Sequence, residues 1–532
     1  MPVPGKTRAA VLAIDHGTSG VKSALVSAHG KILDFEYRKT PIHFFPGGGA
    51  EQDPRDWWDA LIETARSLVE RNRQAADSVQ AVCCSSTFSS TVAVDRRGGN
   101  LGNALTWMDC RGAPYIRDIM EGFPAIQGYG LGSVLPWIYK TGGGPQLSGK
   151  DDIAHVLYWK NERPEVYREA DWFLGSKDYL NLKLTGRSAA SFDSIMLFWV
   201  TNTRDINNIH YDGKLIRKLG IDREKLPPLT SSIDVLGTLL PAVADAMGLK
   251  KDVKVVVGSP DHQSACMGSG AVRDFEGHVY IGTSSWIQCI VPFKKTDVAH
   301  SIASLPTSIP GKYYCANEQD IAGGCLPWLV DNVLFHKNRL GSGDPPEKVF
   351  ELMDEIAAGV EPGSNGLIFT PWLNGERTPV DDTTVRAGLH NMSMTTTAEH
   401  IIRAFFEGVA FNNRWALKYV EKFIGRKMDT LNMVGGGARS GVWCGIFADV
   451  LKRTTRQVKD PMLANARGAA FIASVALGHI TFDDIPDLIE YENVYKPDPE
   501  NARLYDELFE EFLAVYENNR AMYKRLNRRS TS

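Results

Sequence analysis

Apolar and polar positions alternate in two rhythms along this chain, one of period two and one of helical period. Near the start, "AAVLAI" runs into "DHGTSG", and the chain turns apolar again at "VKSALV", a strand, a tight polar turn and a second strand. "KILDFEYRKTPIHF" also reads as strands. "DPRDWWDALIETARSLVERN" reads as a helix, with Asp53 as N-cap, Pro54 at the first helical position and apolar residues at helical spacing. "VQAVCC" and "TVAVD" read as strands, and "KDVKVVVGSPD" as a buried strand ending in a turn. In "TTTAEHIIRAFFEGVAF", Ile402, Phe405, Phe406 and Val409 share one face of a helix. Strands alternating with helices in this way predict an α/β protein.

An internal repeat sharpens the picture. "VYIGTSSWIQCIV" (Val279 to Val291) has the plan of "AIDHGTSGVKSALV", with Gly-Thr-Ser between two strands. Thr18 and Thr283 lie about half the chain apart, which points to duplication. A chain of 532 residues also exceeds what one core normally holds. We therefore expect one domain over residues 8–271, ending after "ACMGSGA", a second over 272–490, and a helical tail over 491–532.

Composition removes several classes of function. A net charge of −4 provides no basic field for nucleic acid. The basic group Lys524, Arg525, Arg528 and Arg529 reads as a solvated helix end. No apolar run is long enough to span a membrane, and the N-terminus lacks a secretory pattern. The eight cysteines include no CxxC pair, so a reducing, cytoplasmic setting is expected.

The first turn carries the candidate chemistry. Thr18, Ser19 and the flanking glycines expose backbone N–H groups and hydroxyls, a concavity suited to phosphate. Asp15 beside it would repel a bare phosphate, but suits a Mg²⁺ bridging carboxylate and phosphate. Lys22 adds positive charge. The second turn, at Thr283, has Tyr280 where the first has Asp15, so one metal carboxylate and two phosphate turns could hold a triphosphate across a cleft. Asp261 follows a buried strand and a Gly-Ser-Pro turn, where α/β proteins present chemistry. It could act as general base toward a hydroxyl, or simply charge a helix N-terminus. Gly435, Gly436 and Gly437 end a strand and open a helix, which would let backbone lie against a ring or ribose.

Taken in order, "IDHGTSGVKSALV", "EQDPRDWW", "WMDCRG", "SKDYLNLKLTG", "GSPDHQSACMGSG", "IGTSSW", "IAGGCLPWL", "NGERTP", "RAFFEGVAF" and "GGGARSGVWCGIFADVL" resemble the FGGY carbohydrate kinases over roughly residues 8 to 490. The resemblance implies two actin-like (ribonuclease-H-like) ATPase domains around a central cleft. It implies transfer of the ATP γ-phosphate to a sugar or polyol, with Mg²⁺. Asp261 matches the family's catalytic base and Asp15 its Mg²⁺-side acid. Thr18, Ser19 and Lys22 match the first phosphate loop, Thr283 the second, Gly323 a phosphate contact, and Gly436, Gly437 and Gly441 the adenosine site. Expected partners are the small-molecule substrate and ATP, with a homodimer as the candidate assembly, and neither nucleic acid nor membrane.

The sugar site departs from the pattern. Xylulose-type kinases look like "SGQMHG" and glycerol kinases like "TNQRET" where this chain has "SSTFSS", Ser85 to Ser90. The opening turn and "WMDCRG" look closer to the xylulose kinase-like branch. Thr87, Phe88, Ser89, Trp107, Asp109, Asp261 and His262 are the expected substrate-lining residues, with core packing the alternative for Trp107. The replacements predict more room at Ser89 and less polarity at Phe88. The competing functional readings are an actin-like ATPase switch and a catalytically weak sugar sensor.

Overall fold

The computed structural model describes residues 9–336 and 343–527. The expected start at residue 8, the last five residues of the tail, and Arg528 and Arg529 with them lie outside the described residues.

The first half is built on β1 (Ala10–Gly17), β2 (Gly20–Ser27), β3 (Ile32–Lys39), helix α1 (Pro54–Arg71), β4 (Val79–Ser86), helix α2 (Ser176–Thr185), β5 (Val235–Thr238), β6 (Lys254–Pro260) and helix α3 (Asp261–Ser269). Asp53 caps α1 through the Arg55 N–H, and Pro54 takes the first helical position. The strands form one sheet in the order β5-β6-β4-β1-β2-β3. The pairs β1–β2, β2–β3 and β5–β6 are antiparallel, and β1–β4 and β4–β6 are parallel.

The second half repeats this frame. It comprises β7 (Gly277–Ile281), β8 (Ser285–Val291), β9 (Tyr313–Ala316), helix α4 (Ala398–Ile424), β10 (Thr430–Val434), helix α5 (Gly441–Leu451), β11 (Thr454–Val458), helix α6 (Ala464–Ala476) and β12 (Tyr491–Tyr495). The run β9-β8-β7-β10-β11-β12 has the same succession of antiparallel and parallel neighbours. Two further strands, Thr296–Asp297 and Ile302–Pro306, extend it past β9. The outer strand differs in origin. In the first half it precedes β6 in the chain; in the second it arrives after α6. Residues 491–495 are therefore strand, and the helix expected over the tail is α7 (Pro499–Leu526) alone.

Parallel strands buried on both faces demand apolar residues throughout, and β1, β4 and β6 are almost entirely buried. The apolar face expected at Ile402, Phe405, Phe406 and Val409 is buried in α4. Between the halves, α3 and α6 pack backbone to backbone. A Cβ at Gly268 would overlap the Ala464 carbonyl, and one at Gly468 would overlap the Ser264 carbonyl. The contact is reciprocal, and only glycine fits either position. Seven of the eight cysteines are buried, and all eight are free thiols. Among the described residues, no helix is long and apolar enough to cross a membrane.

Candidate active site

The two Gly-Thr-Ser turns join the innermost hairpins of the two sheets. Asp15, near the end of β1, is buried. Its Oδ2 accepts from Lys22 Nζ at 2.9 Å, and its Oδ1 accepts from Asn465 Nδ2 at 3.3 Å. Lys22 belongs to the same half and Asn465 to α6, so this carboxylate is fastened from both sides of the cleft. Asp15 above all holds the Lys22 ammonium charged beyond the ordinary lysine range. Tyr280, on β7, completes the group; burial pushes its phenol up to about 12, against the pull of Lys22.

At the turns themselves, Thr18 Oγ1 accepts from Trp107 Nε1 at 2.9 Å, and the Thr18 carbonyl accepts from Gln52 Nε2 at 3.0 Å. Ser19 is exposed. In the second hairpin, the exposed Thr283 accepts on its carbonyl from the N–H groups of Ala322 (2.7 Å) and Gly324 (3.2 Å). Gly323, between them, backs onto Gly282, whose carbonyl lies 2.5 Å from where a Cβ would stand. The turns are thus anchored by their backbone and by neighbouring side chains, while Ser19 and Thr283 are left facing outward.

The glycine run follows β10. Gly435 has φ of +90°, a conformation glycine adopts freely. Gly436 faces open space, whereas Gly437 presses on Ile281. Ser440 caps α5 by accepting the Trp443 N–H at 2.9 Å, and Gly441 begins that helix against Tyr495. Gly436, Gly437 and Gly441 therefore sit at one strand-to-helix junction, and Gly436 is the one with room in front of it.

Asp261 is the first residue of α3, a position favoured by the helix dipole. Its Oδ1 accepts the His262 N–H at 2.9 Å. Burial, then the carboxylates of Asp15 and Glu318, raise its proton affinity well above that of an ordinary aspartate. A buried carboxylate with raised proton affinity and a second acid, Asp15, among the causes is a pattern that marks candidate functional sites.

Beside it a cavity of about 490 Å³ opens between the halves. Phe88, Trp199 and His262 line it from the first half, and Asn317, Glu318 and Arg377 from the second. The Arg377 guanidinium pairs with Glu318 and, at 3.2 Å, with Asp320. Trp199 is held by its Nε1 donating to Asp151 at 2.7 Å. Trp199, Asn317, Glu318 and Arg377 were not singled out from sequence. Arg377 lay inside the quoted "NGERTP" segment, and only the fold brings it to Glu318.

Of the residues expected to line the substrate site, Phe88 and His262 line this cavity. The others have different surroundings. The Trp107 indole is half-buried and bonded to Thr18, so it braces the first turn and is not part of the cavity wall. Asp109 is buried, accepting the Ala50 N–H at 2.9 Å and pairing with Arg111 at 2.6 Å, so its charge is already matched. Ser89 is buried with φ of +49° and does not line this cavity. Thr87 Oγ1 meets Ser90 Oγ at 3.3 Å. The low polarity expected at Phe88 is present, its ring meeting His262 edge-on at 5.5 Å.

Comparison with known proteins defines the class. Residues 10–268 match the N-terminal domain, and residues 278–477 the C-terminal domain, of the FGGY family of carbohydrate kinases. The chain belongs to this family and is a carbohydrate kinase with the paired actin-like fold. Among its relatives, a xylulose kinase of Staphylococcus epidermidis is 27% identical over 520 residues, covering 96% of this chain and 97% of the relative. A gluconokinase of Bacillus subtilis is 26% identical over 509 residues, covering 94% of each. The fold of a xylulose kinase from Lactobacillus acidophilus superposes with a TM-score of 0.83 at 24% identity, over 97% of this chain and 99% of that one.

Proposed function

We propose that this kinase transfers the γ-phosphoryl group of ATP to a hydroxyl of a five- or six-carbon sugar or polyol, with Asp261 as general base. The observation that carries this reading is the position of Asp261. It has a raised proton affinity, Asp15 close by, and His262, its immediate neighbour, in the cavity wall. The substrate oxygen attacks the γ-phosphorus, its proton passes to the Asp261 carboxylate, and the bond to the ADP oxygen breaks.

The turns at Thr18, Ser19 and Thr283, with Gly323, would receive the phosphates. Gly436, Gly437 and Gly441 would receive the adenosine. Asp15 is the residue that would hold Mg²⁺. A single fixed carboxylate fits an ion that keeps several waters and takes its other ligands from phosphate. When bound, the ion neutralises charge on the phosphates. Lys22 and Asn465 hold the carboxylate in the cleft.

Overall likeness to xylulose kinases makes xylulose the first acceptor to test, although the segment Ser85–Ser90 lacks their histidine. Glycerol should be a poor acceptor, because Phe88 offers a short polyol no hydrogen bond. Coupled ADP release, screened over pentuloses, hexuloses, pentitols, erythritol, glycerol and gluconate, tests the reading. ADP release that no acceptor stimulates would sink it. A kcat/KM for glycerol above every longer acceptor would refute the argument from Phe88 while leaving the kinase assignment intact.

A further inference from the structure

A stack of aromatic rings runs across the cleft and joins the substrate cavity to the Asp15–Lys22 group. Tyr280 lies flat on Trp286, with centroids 4.1 Å apart and planes 3° from parallel. Trp286 lies on His262 at 3.9 Å and 17°. His262 meets Phe88 edge-on at 5.5 Å. Tyr280 and Trp286 face each other across the β7–β8 hairpin of the second half, whereas His262 and Phe88 belong to the first.

His262 is held by a second contact from the same strand. Gln288 Nε2 donates to its Nδ1 at 2.7 Å. Nδ1 is then the acceptor nitrogen and Nε2 carries the proton of the neutral ring. Burial, with Arg377 adding to it, pushes the imidazole down to about 3, so the ring stays neutral at working pH. Trp286 is itself fixed from behind, its Nε1 donating to His278 Nε2 at 3.3 Å. One half thus supplies a histidine to the cavity wall, and the other supplies both the flat surface and the hydrogen bond that set its orientation.

We propose that Trp286 is a positioning residue for the sugar site, holding His262 in the orientation in which it meets the acceptor, and only when the halves face each other as they do here. His262 follows Asp261 directly, so the same contact fixes the start of α3 that carries the base. Trp286 is not part of the cavity wall, and its role here is exerted through His262. The inference rests on the kinase reading of this cleft.

The test is steady-state kinetics of Trp286→Leu and Trp286→Phe with the acceptor that gives highest wild-type turnover, alongside thermal melting. Losing the aromatic face should raise the acceptor KM roughly three- to tenfold. The ATP KM should stay within about twofold, and Phe should restore most of the loss. In a His262→Ala background, Trp286→Leu should add almost nothing, because the ring it holds is gone. If Trp286→Leu melts too low to assay, Gln288→Leu removes the other restraint and should raise the acceptor KM in the same way. An acceptor KM within about twofold of wild type in Trp286→Leu or, where that variant cannot be assayed, in Gln288→Leu overturns the proposal, as does a full additional loss from Trp286→Leu in the His262→Ala background. Wild-type protein that no acceptor stimulates defeats the kinase reading instead, so the two failures are distinct.

Discussion

The hairpins that open the two halves start from the same Gly-Thr-Ser sequence and end with different chemistry. In the first, Gly17 pairs with Gly20, leaving Thr18 and Ser19 as a two-residue turn, so Asp15 faces Lys22. In the second, Ile281 pairs with Ser285 around three residues, and Tyr280 faces Trp286. Counting from the shared Gly-Thr-Ser, Lys22 corresponds to Ile287 and Val21 to Trp286. A one-residue change of register exchanges which side chain points into the core, because the side-chain period of a strand is two. Val21 is core in the first half, and Ile287 is core in the second. One additional turn residue therefore brings a tryptophan to the cleft where its counterpart hairpin brings a lysine. Duplication supplied the frame, and turn length assigned an ion pair to one half and an aromatic stack to the other.

If the first half carries the charged chemistry, its acids should dominate the kinetics. Asp261→Asn keeps the shape and removes the base, and kcat should fall by about 10²–10⁴ with nucleotide binding retained. Near-wild-type turnover of that variant would break the division at its root. Asp15→Asn should raise the Mg²⁺ concentration needed for half-maximal rate by roughly ten- to a hundredfold, read from a metal titration at saturating ATP.

The second half's glycines offer a smaller and cleaner contrast. At Gly437 a Cβ would stand 2.5 Å from Ile281, so Gly437→Ala should cost about 1–3 kcal/mol and lower the melting temperature. Gly436 has open space, so Gly436→Ala should melt with the wild type and raise only the ATP KM. Equal melting losses in both would show that the junction is packing alone.

The smallest effect is a pH shift. The proposed base role requires ionised Asp261, whose proton affinity is raised first by burial, then by Asp15 and Glu318. The acid limb of kcat/KM should therefore lie above the ordinary aspartate range. Glu318→Gln removes one of the raising charges and should move that limb to lower pH. A shift to higher pH would contradict the electrostatics described here.

Much of this was legible in sequence for identifiable reasons. Strand ends followed by glycine and acid announced Asp15 and Asp261, because turn chemistry is local. The repeat was legible at Gly-Thr-Ser, but its register was not, because the sequence does not say whether two or three residues close the turn. Arg377 and Glu318 stand 59 positions apart, and no local spacing joins them. Trp107 and Asp109 were visible as a motif, but their partners Thr18 and Arg111 decide what they do, and Thr18 stands 89 positions away on the first hairpin. Ser89 was read as a substitution for a longer polar residue, when its backbone conformation is what places it away from the cavity.

The reciprocal fit of Gly268 and Gly468 bears on how the molecule is made. Helix α3 is buried from Gln263 to Ser269, and α6 is the element packed most extensively against it. A ribosome must add about 200 residues after α3 before α6 exists, on the order of ten to forty seconds of synthesis. Until then the segment that begins with Asp261 lacks its most extensive partner. The nascent first half already holds Asp15, Lys22 and the Gly-Thr-Ser turn, but Asp261 is not yet held in place by α6. Synthesis of α6 supplies the reciprocal glycine contact, so a chain truncated before α6 should leave the helix that begins at Asp261 without its main support.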